Sequence, residues 1–156
     1  MGLPMSQQIL RLFVAFFIGL IIGIERTLSK KPAGIKTHCI ICLACTLMTM
    51  LSAYGFYQFK LSTDPTRLMA NIITGVGFIG GGVIIKGEQK GIKGLTTAAG
   101  IFGVAGIGIA VGLGYYFLAF TAYLFMELSI KSEKMLKFLK IIPSQHPSED
   151  DNESRD

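Results

Sequence analysis

The feature that most constrains the fold of this chain is the segment of residues 71–114, whose two apolar stretches, 71–85 and 94–114, are built on glycine rather than on leucine. Its first part contains three consecutive glycines, and its second part is rich in glycine and alanine. In water, a glycine inside a helix costs up to ~1 kcal/mol relative to alanine. In lipid, small residues allow two helix backbones to approach closely. We therefore expect this segment to form the tightly packed centre of a helical membrane protein.

The composition of the chain agrees with a lipid environment. Of its 156 residues, 51% are hydrophobic and only 16% are charged, whereas a soluble domain carries about 25% charged residues. The charged residues lie in short segments between apolar runs and form no clustered patch of the kind that binds nucleic acid. The lipid bilayer is therefore the expected partner, and nucleic acid is not.

Five apolar runs predict an all-α fold, an integral membrane helical bundle of five transmembrane helices with Gly-rich central helices. Each run approaches the ~20 residues that cross about 30 Å of hydrocarbon. The runs cover residues 5–24, 37–57, 66–85, 95–111 and 115–130. Because little more than residues 112–114 joins the last two, a re-entrant segment is the alternative for that pair.

The distribution of lysine and arginine predicts the orientation of the chain, because cytoplasmic loops are rich in both residues. One side carries Arg26, Lys30, Lys31, Lys36, Lys86, Lys90, Lys93, Lys131, Lys134, Lys137 and Lys140. The other side carries only Lys60 and Arg67 between spans two and three. Five spans then place the N-terminus outside and the C-terminus in the cytoplasm.

The chain divides into three segments on this basis. Residues 1–130 form the transmembrane domain, and residues 131–142 are predicted to form an amphipathic basic helix at the cytoplasmic interface. A lysine-rich tail that snorkels to the headgroups is the alternative for residues 131–142. Residues 143–156 are acidic and polar, and we expect them to be disordered.

Several motifs in the same order resemble the MgtC/SapB family of bacterial inner-membrane proteins. They are Gly23-Ile-Glu-Arg26, Pro32-Ala-Gly-Ile-Lys-Thr-His38, Asp64-Pro-Thr-Arg67, Gly75-Val-Gly-Phe-Ile-Gly-Gly-Gly82 and Gly94-Leu-Thr-Thr-Ala-Ala99. The resemblance covers residues 8–130 and implies a multi-pass protein of the cell inner membrane with a role in magnesium homeostasis. The chain departs from the family pattern at Thr27, Lys36, Asn71 and Phe102.

Small residues at four-residue spacing predict close helix contacts. Such rows include Ala15, Gly19 and Gly23 on span one, and Gly106, Ala110 and Gly114 on span four. The triplet at 80–82 exceeds what packing requires, and the alternative there is a broken helix whose exposed ends bind ions. The candidate glycines for helix packing or a broken helix are Gly19, Gly23, Gly75, Gly77, Gly80, Gly81, Gly82 and Gly106.

Two polar clusters are predicted at the two ends of the bundle, because ionisable residues within a span are costly and mark candidate sites. The candidate outer-side cluster contains Arg11, Asp64, Arg67 and Asn71, and we expect Arg11 to pair with Asp64 or to reach Asn71. The candidate cytoplasmic-side cluster contains Glu25, Arg26, Lys36, Thr37, Thr96 and Thr97. Either cluster can bind a ligand or can instead fix the helices in place, with Thr96 capping the fourth helix.

No metal, cofactor or catalytic site is predicted. Cys39, Cys42 and Cys45 follow His38 in steps of three, and on a continuous helix such side chains rotate around the axis instead of converging on one metal ion. No arrangement of nucleophile, base and acid is recognisable, so we do not expect an enzyme.

The predicted function is a non-enzymatic regulator of ion and envelope homeostasis that acts through contacts in the membrane. Its expected partners are the lipid bilayer and either another membrane protein or a second copy of the chain. The alternative is an oligomeric transporter or channel for Mg²⁺ or another small solute, because a chain of this length without internal repeats is short for a lone transporter.

Overall fold

The computed structural model describes residues 2–55, 64–87 and 91–138, and contains five α-helices and one short β-hairpin. The helices are α1 (Met5–Leu28), α2 (Ile35–Tyr54), α3 (Pro65–Val83), α4 (Leu95–Leu113) and α5 (Tyr116–Phe138). Strands β1 (Ile85–Gly87) and β2 (Gly91–Lys93) pair antiparallel between α3 and α4. The five expected helices are therefore present, and the hairpin is an addition that hydropathy does not reveal.

Within the described part of the chain, three of these helices are long and apolar enough to cross a membrane: α1, α2 and α4. Helices α3 and α5 do not meet this criterion. Polar residues explain the difference, since α3 carries Arg67 and Asn71 in its first two turns and α5 carries Glu127 and Lys131 in its second half. The chain is thus a membrane protein with three clear candidate spans, and the prediction of five spans is only partly met.

The direction of the helices alternates along the chain. Gly23 of α1 lies against Ile35 at the start of α2, and Gly19 lies against Cys39, so α1 and α2 are antiparallel. Gly108 of α4 meets Cys42 and Gly112 meets Thr46 and Thr49, so α2 and α4 run in the same direction. Gly80 of α3 lies against Ala98 of α4, and Gly103 of α4 against Met126 of α5. Both neighbours therefore run opposite to α4.

The core lies where α1, α2 and α4 meet. Ala15, Cys42, Ile101, Val104 and Val111 are fully buried there. Glycine permits this density: a Cβ added to Gly23 would lie 2.5 Å from the Cα of Ile35. Large apolar side chains on the outer surfaces remain exposed, as lipid-facing residues of a membrane bundle are. Examples are Phe13, Phe17, Phe117 and Phe125.

Helix α3 passes through Gly80, Gly81 and Gly82 without interruption and ends at Val83. The broken-helix alternative for this triplet is therefore not what the structure contains. The chain turns into α4 through Gly94, which has a φ of 84°. A Cβ at Gly94 would lie 2.3 Å from the carbonyl oxygen of Val83, so only glycine fits this turn.

A tight turn joins α4 to α5. Gly114 adopts a φ of 88°, and the amides of Gly114 and Tyr115 donate to the carbonyls of Val111 and Ala110. This pattern closes the helix end as a left-handed glycine cap does. Helix α5 then continues to Phe138, so residues 131–138 extend α5. Their location at the membrane interface stays a prediction, and residues 139–156, including the acidic tail, lie outside the described part of the chain.

Candidate functional site

At one end of the bundle, Arg11 joins three helices. Its side chain is only 7% exposed, and its Nη1 donates a hydrogen bond of 2.5 Å to the carbonyl oxygen of Gly112. Its guanidinium group also lies 5.1 Å from the ring centre of Tyr54. Arg11 therefore connects α1 to the C-terminal ends of α2 and α4, instead of pairing with Asp64 or Asn71 as the sequence suggested.

The position of Arg11 has a clear electrostatic reason. The last carbonyls of a helix have no partner within the helix, and they carry the negative end of its dipole. A buried guanidinium at the end of α4 satisfies one of these carbonyls and gains a favourable charge interaction. Its Nε atom remains buried without a hydrogen-bond partner in the described part of the chain.

The other predicted outer-side residues are spread along the start of α3. Asp64 is the N-cap of that helix, and its Oδ1 accepts hydrogen bonds from the amide and hydroxyl of Thr66. These hydrogen bonds lower the pKa of the Asp64 carboxyl, and the charge of Arg67 acts in the same direction. Arg67 and Asn71 are exposed. The structure thus supports a helix cap at Asp64, separate from the buried Arg11.

At the opposite end, Glu25 and Arg26 form an ion pair between adjacent residues of α1. Arg26 is buried, and the hydroxyl of Ser29 donates to Glu25 at 3.1 Å. Of the basic residues expected around Glu25, Arg26 is in direct contact. Lys36 is exposed, and Lys131 of α5 supplies a further positive charge near Glu25.

Thr27 connects α1 to the first turn of α2. Its hydroxyl donates to the carbonyl of Gly23 at 2.8 Å and accepts from the amide of Ile35 at 3.1 Å. The amide of Ile35 is one of the unpaired donors at a helix start, so this contact caps α2 from a neighbouring helix. Thr27 therefore has a structural role at a position where the sequence departs from the pattern of the family that it resembles.

The threonines predicted at this end occupy different environments. Thr97 is buried, while Thr37 and Thr96 are half-buried. The N-cap of α4 is Gly94, which provides no side-chain cap, so Thr96 does not occupy the capping position. The predicted cytoplasmic-side residues thus share one end of the bundle. Among them, Glu25 and Arg26 form an ion pair.

A buried carboxylate on α5 was not among the sequence candidates. Glu127 is 7% exposed, and its Oε2 lies 2.7 Å from Nζ of Lys131. Its Oε1 has no hydrogen-bond partner among the described residues. The four-residue spacing of Glu127 and Lys131 is the sequence signal that could have revealed this pair.

Further polar groups are buried in the same half of the molecule. The carbonyl of Gly34 accepts a hydrogen bond of 2.9 Å from Nδ1 of His38. Nε2 of His38 and the hydroxyl of Thr97 are buried without hydrogen-bond partners in the described segments. Buried polar atoms of this kind carry a desolvation cost of about 1–3 kcal/mol each.

The three cysteines line the contact between helices. Cys39 lies against Gly19 of α1, while Cys42 and Cys45 lie against Gly108 of α4. All three are buried free thiols. Across the described residues, no group of three or more histidine, cysteine or acidic side chains is arranged to hold a metal ion. The row thus packs against glycines of α1 and α4.

The candidate glycines fall into two groups. Gly19, Gly23 and Gly80 lie against neighbouring helices, whereas a Cβ added to Gly75, Gly77, Gly81, Gly82 or Gly106 would meet no atom within 4 Å. On α4, the close contacts are made by Gly108 and Gly112, where a Cβ would lie 2.7 Å from the carbonyl oxygen of Cys42 and 2.8 Å from that of Thr46. The predicted row starting at Gly106 is therefore replaced by a row two residues further along.

Comparison with known proteins gives consistent matches over most of the chain. A family model described as the MgtC family matches residues 12–137. Protein SapB of Bacillus subtilis is 44% identical over 127 residues, which cover 79% of this chain and 55% of that protein. A protein of Escherichia coli K12 named putative magnesium transporter YhiD is 41% identical over 115 residues, 71% of this chain and 53% of YhiD.

Protein MgtC of Salmonella typhimurium LT2 is 35% identical over 113 residues, which cover 72% of this chain and 46% of MgtC. The chain thus spans about half the length of the curated relatives that it matches. No solved structure matches the chain.

Proposed function

The chain belongs to the MgtC family, and on that premise we propose that it is a non-enzymatic regulator of ion homeostasis, Mg²⁺ included, in the bacterial inner membrane. In this proposal it acts by binding other membrane proteins through its lipid-facing helix surfaces. The names of the relatives MgtC and putative magnesium transporter YhiD support the link to magnesium.

The observation that carries the proposal is the closed interior of the bundle. The centre between α1, α2 and α4 is filled by direct contacts of glycine with neighbouring backbone. The arginine at one end and the ion pair at the other are bound internally, by Gly112 and within α1 respectively. A single copy built in this way offers lipid-facing contact surfaces more readily than a polar path for a solute.

We propose five crossings of the membrane, with the N-terminus outside and the C-terminus in the cytoplasm. Helix α3 has 19 residues, which give it a length of about 28 Å. It packs antiparallel to α4. The alternating helix directions support one crossing per helix. They also bring the lysine-rich segments after α1, α3 and α5 to one side, as the excess of lysine in cytoplasmic loops requires.

A second candidate function is transport by an oligomer. Buried polar groups without hydrogen-bond partners, at His38, Thr97 and Glu127, are the observation that favours it. Such groups in a membrane protein often face an ion path or a proton relay. A path of this kind would need a second copy to complete it, because these atoms lie within a packed single chain.

A flux measurement in liposomes separates the two functions. Purified protein would be reconstituted with a Mg²⁺-sensitive dye inside the vesicles, and we expect no uptake above that of empty vesicles. The matched variants are Glu25→Gln and Glu127→Gln, which each neutralise one carboxylate of the lysine-rich end. If the wild type takes up Mg²⁺ and either variant abolishes this uptake, the regulatory function is rejected and the transport function is established.

Co-purification tests the regulator directly. Membranes of the native bacterium would be solubilised gently and the tagged chain isolated with its partners. We expect a second membrane protein to be retained in a fixed ratio. If flux is absent and the chain is also isolated without any other protein, the proposed regulatory contacts do not exist.

A further inference from the structure

Three buried polar atoms at the end of the bundle that contains Arg11 have no hydrogen-bond partner among the described residues. They are Nε of Arg11 and the hydroxyl oxygens of Thr49 and Tyr116. A guanidinium N–H only donates hydrogen bonds, and each hydroxyl group can donate its proton. The three atoms therefore match a ligand that only accepts hydrogen bonds, as an oxyanion does.

These donors come from three helices that meet around the C-terminal end of α4. Arg11 of α1 donates to the carbonyl of Gly112, and a Cβ added to Gly112 would lie 2.6 Å from the Cβ of Thr49 on α2. Tyr116 follows Gly114 by two residues at the start of α5, and a Cβ added to Gly114 would lie 2.8 Å from Nη2 of Arg11. The three donors thus lie beside the same short turn between α4 and α5.

One side of the Arg11 guanidinium is suited to bind two oxygens at once. Nη1 is bonded to the carbonyl of Gly112, whereas Nε has no partner in the described part of the chain. The side chain that Gly114 lacks would approach Nη2 at 2.8 Å, Cζ at 3.2 Å and Nε at 3.7 Å. Arginine binds phosphate and carboxylate groups through two parallel N–H groups. Glycine at position 114 therefore leaves space beside the Nε and Nη2 pair.

The charge of Arg11 also favours an anion. Its side chain is buried, and among the described residues no carboxylate forms an ion pair with it. A helix end carries about half an elementary charge, so the carbonyl end of α4 offsets only part of the guanidinium charge. A buried charge without a full counter-charge is costly. A bound anion would lower this cost.

We propose that this end of the bundle binds a phosphate group, held by Nε and Nη2 of Arg11 and by the hydroxyls of Thr49 and Tyr116. A phosphate group presents three acceptor oxygens, which suits several donors better than the two oxygens of a carboxylate. Arg11 lies six residues after the start of α1, about 9 Å along the helix. The site is therefore near the membrane surface, where both a phospholipid headgroup and free inorganic phosphate present this chemistry.

Thermal unfolding of the purified chain in a neutral detergent tests the site. Inorganic phosphate is compared with chloride at equal ionic strength, and dioleoylphosphatidylglycerol with dioleoylglycerol, which lacks the phosphate. We expect a phosphate source to raise the unfolding temperature in a saturable manner, and neither control to do so. Saturable stabilisation by inorganic phosphate identifies a site for the free anion, and stabilisation by the phospholipid alone identifies a headgroup site.

Two adjacent tyrosines provide matched variants. Tyr116→Phe removes the buried hydroxyl and should weaken the apparent affinity for the phosphate source about tenfold, because a hydrogen bond to a charged group is lost. The unfolding temperature without ligand should not fall, since this hydroxyl has no partner in the described segments. Tyr115→Phe is the control, because Tyr115 is 61% exposed, and it should leave the affinity unchanged. Arg11→Lys keeps the charge but loses the two-pronged contact, and should also weaken binding about tenfold.

Two results would overturn the proposal. One is the absence of saturable stabilisation by either phosphate source. The other is an equal effect of Tyr116→Phe and Tyr115→Phe on the affinity. Neither measurement involves Mg²⁺ flux or a protein partner, so failure here is distinct from failure of the proposed function.

Discussion

At the scale of single residues, Arg11 shows that one charged side chain can have several possible hydrogen-bond partners. The sequence predicted that Arg11 lies at the outer end of the bundle and pairs with the opposite charge of Asp64. The structure instead assigns it a backbone carbonyl on α4 and the ring of Tyr54. A guanidinium group donates to any suitably placed acceptor, so its partner depends on which helix ends meet.

A double-mutant cycle checks this assignment. Arg11→Ala should destabilise the protein in detergent by about 2–4 kcal/mol, because the end of α4 loses its hydrogen bond and a buried contact. Combining Arg11→Ala with Tyr54→Leu should give a non-additive loss, with an interaction energy above about 0.5 kcal/mol. Combining it with Asp64→Ala should be additive, and thermal unfolding measures both. Strong coupling between Arg11 and Asp64 would contradict the observed geometry.

At the scale of helices, glycine has two distinct uses in α4. Gly108 and Gly112 lie on the side that meets α2, whereas Gly106 lies on an open side. The spacing of small residues cannot distinguish these sides, because α4 carries glycine or alanine on every side. Contact with α2 is what selects one row of glycines over the other.

Paired alanine substitutions in α4 separate these uses. Gly112→Ala should destabilise the protein by about 1–3 kcal/mol, since the added methyl group overlaps Thr49 and the carbonyl of Thr46. Gly106→Ala is the matched control in the same helix and should change stability by less than ~1 kcal/mol, or raise it, because alanine favours the helix. The comparison is made by thermal unfolding in detergent. Equal losses at both positions would show that α2 and α4 do not pack as described.

At the scale of the whole molecule, the alternation of helix directions gathers the lysine-rich segments at one end. Two helices, α3 and α5, fall short of a clear span by composition because of polar residues within them. Their packing along α4 supports the proposal that they also cross the bilayer. The number of membrane crossings therefore depends on how the helices pack together, and not only on the composition of each helix.

Accessibility of tags in intact cells tests this topology. A tag at the N-terminus should be reached by a membrane-impermeant protease or label, and a tag at the C-terminus should be protected until the membrane is opened. A single-cysteine label at Arg67, in the first turn of α3, should be accessible from the same side as the N-terminus. Finding both termini in one compartment would exclude five crossings.

Local patterns were enough to define much of this protein. Apolar runs gave the five helices, since helix formation and membrane solvation depend on nearby residues. The helix ends lie within four residues of the ends of the runs, except that α5 continues eight residues beyond its run to Phe138. The motifs from Gly23 to Ala99 indicated the family to which the chain belongs. The charge distribution likewise predicts an orientation, because each loop contributes its lysines independently.

Tertiary structure decided which groups face one another. It selected Gly108 and Gly112 for the contact with α2, directed Arg11 to the end of α4, and buried Glu127 on α5. It also left the glycines around Phe78 uncovered. These outcomes depend on the rotation and offset of whole helices, which arise from many long-range contacts at once and leave no periodic signal in the chain.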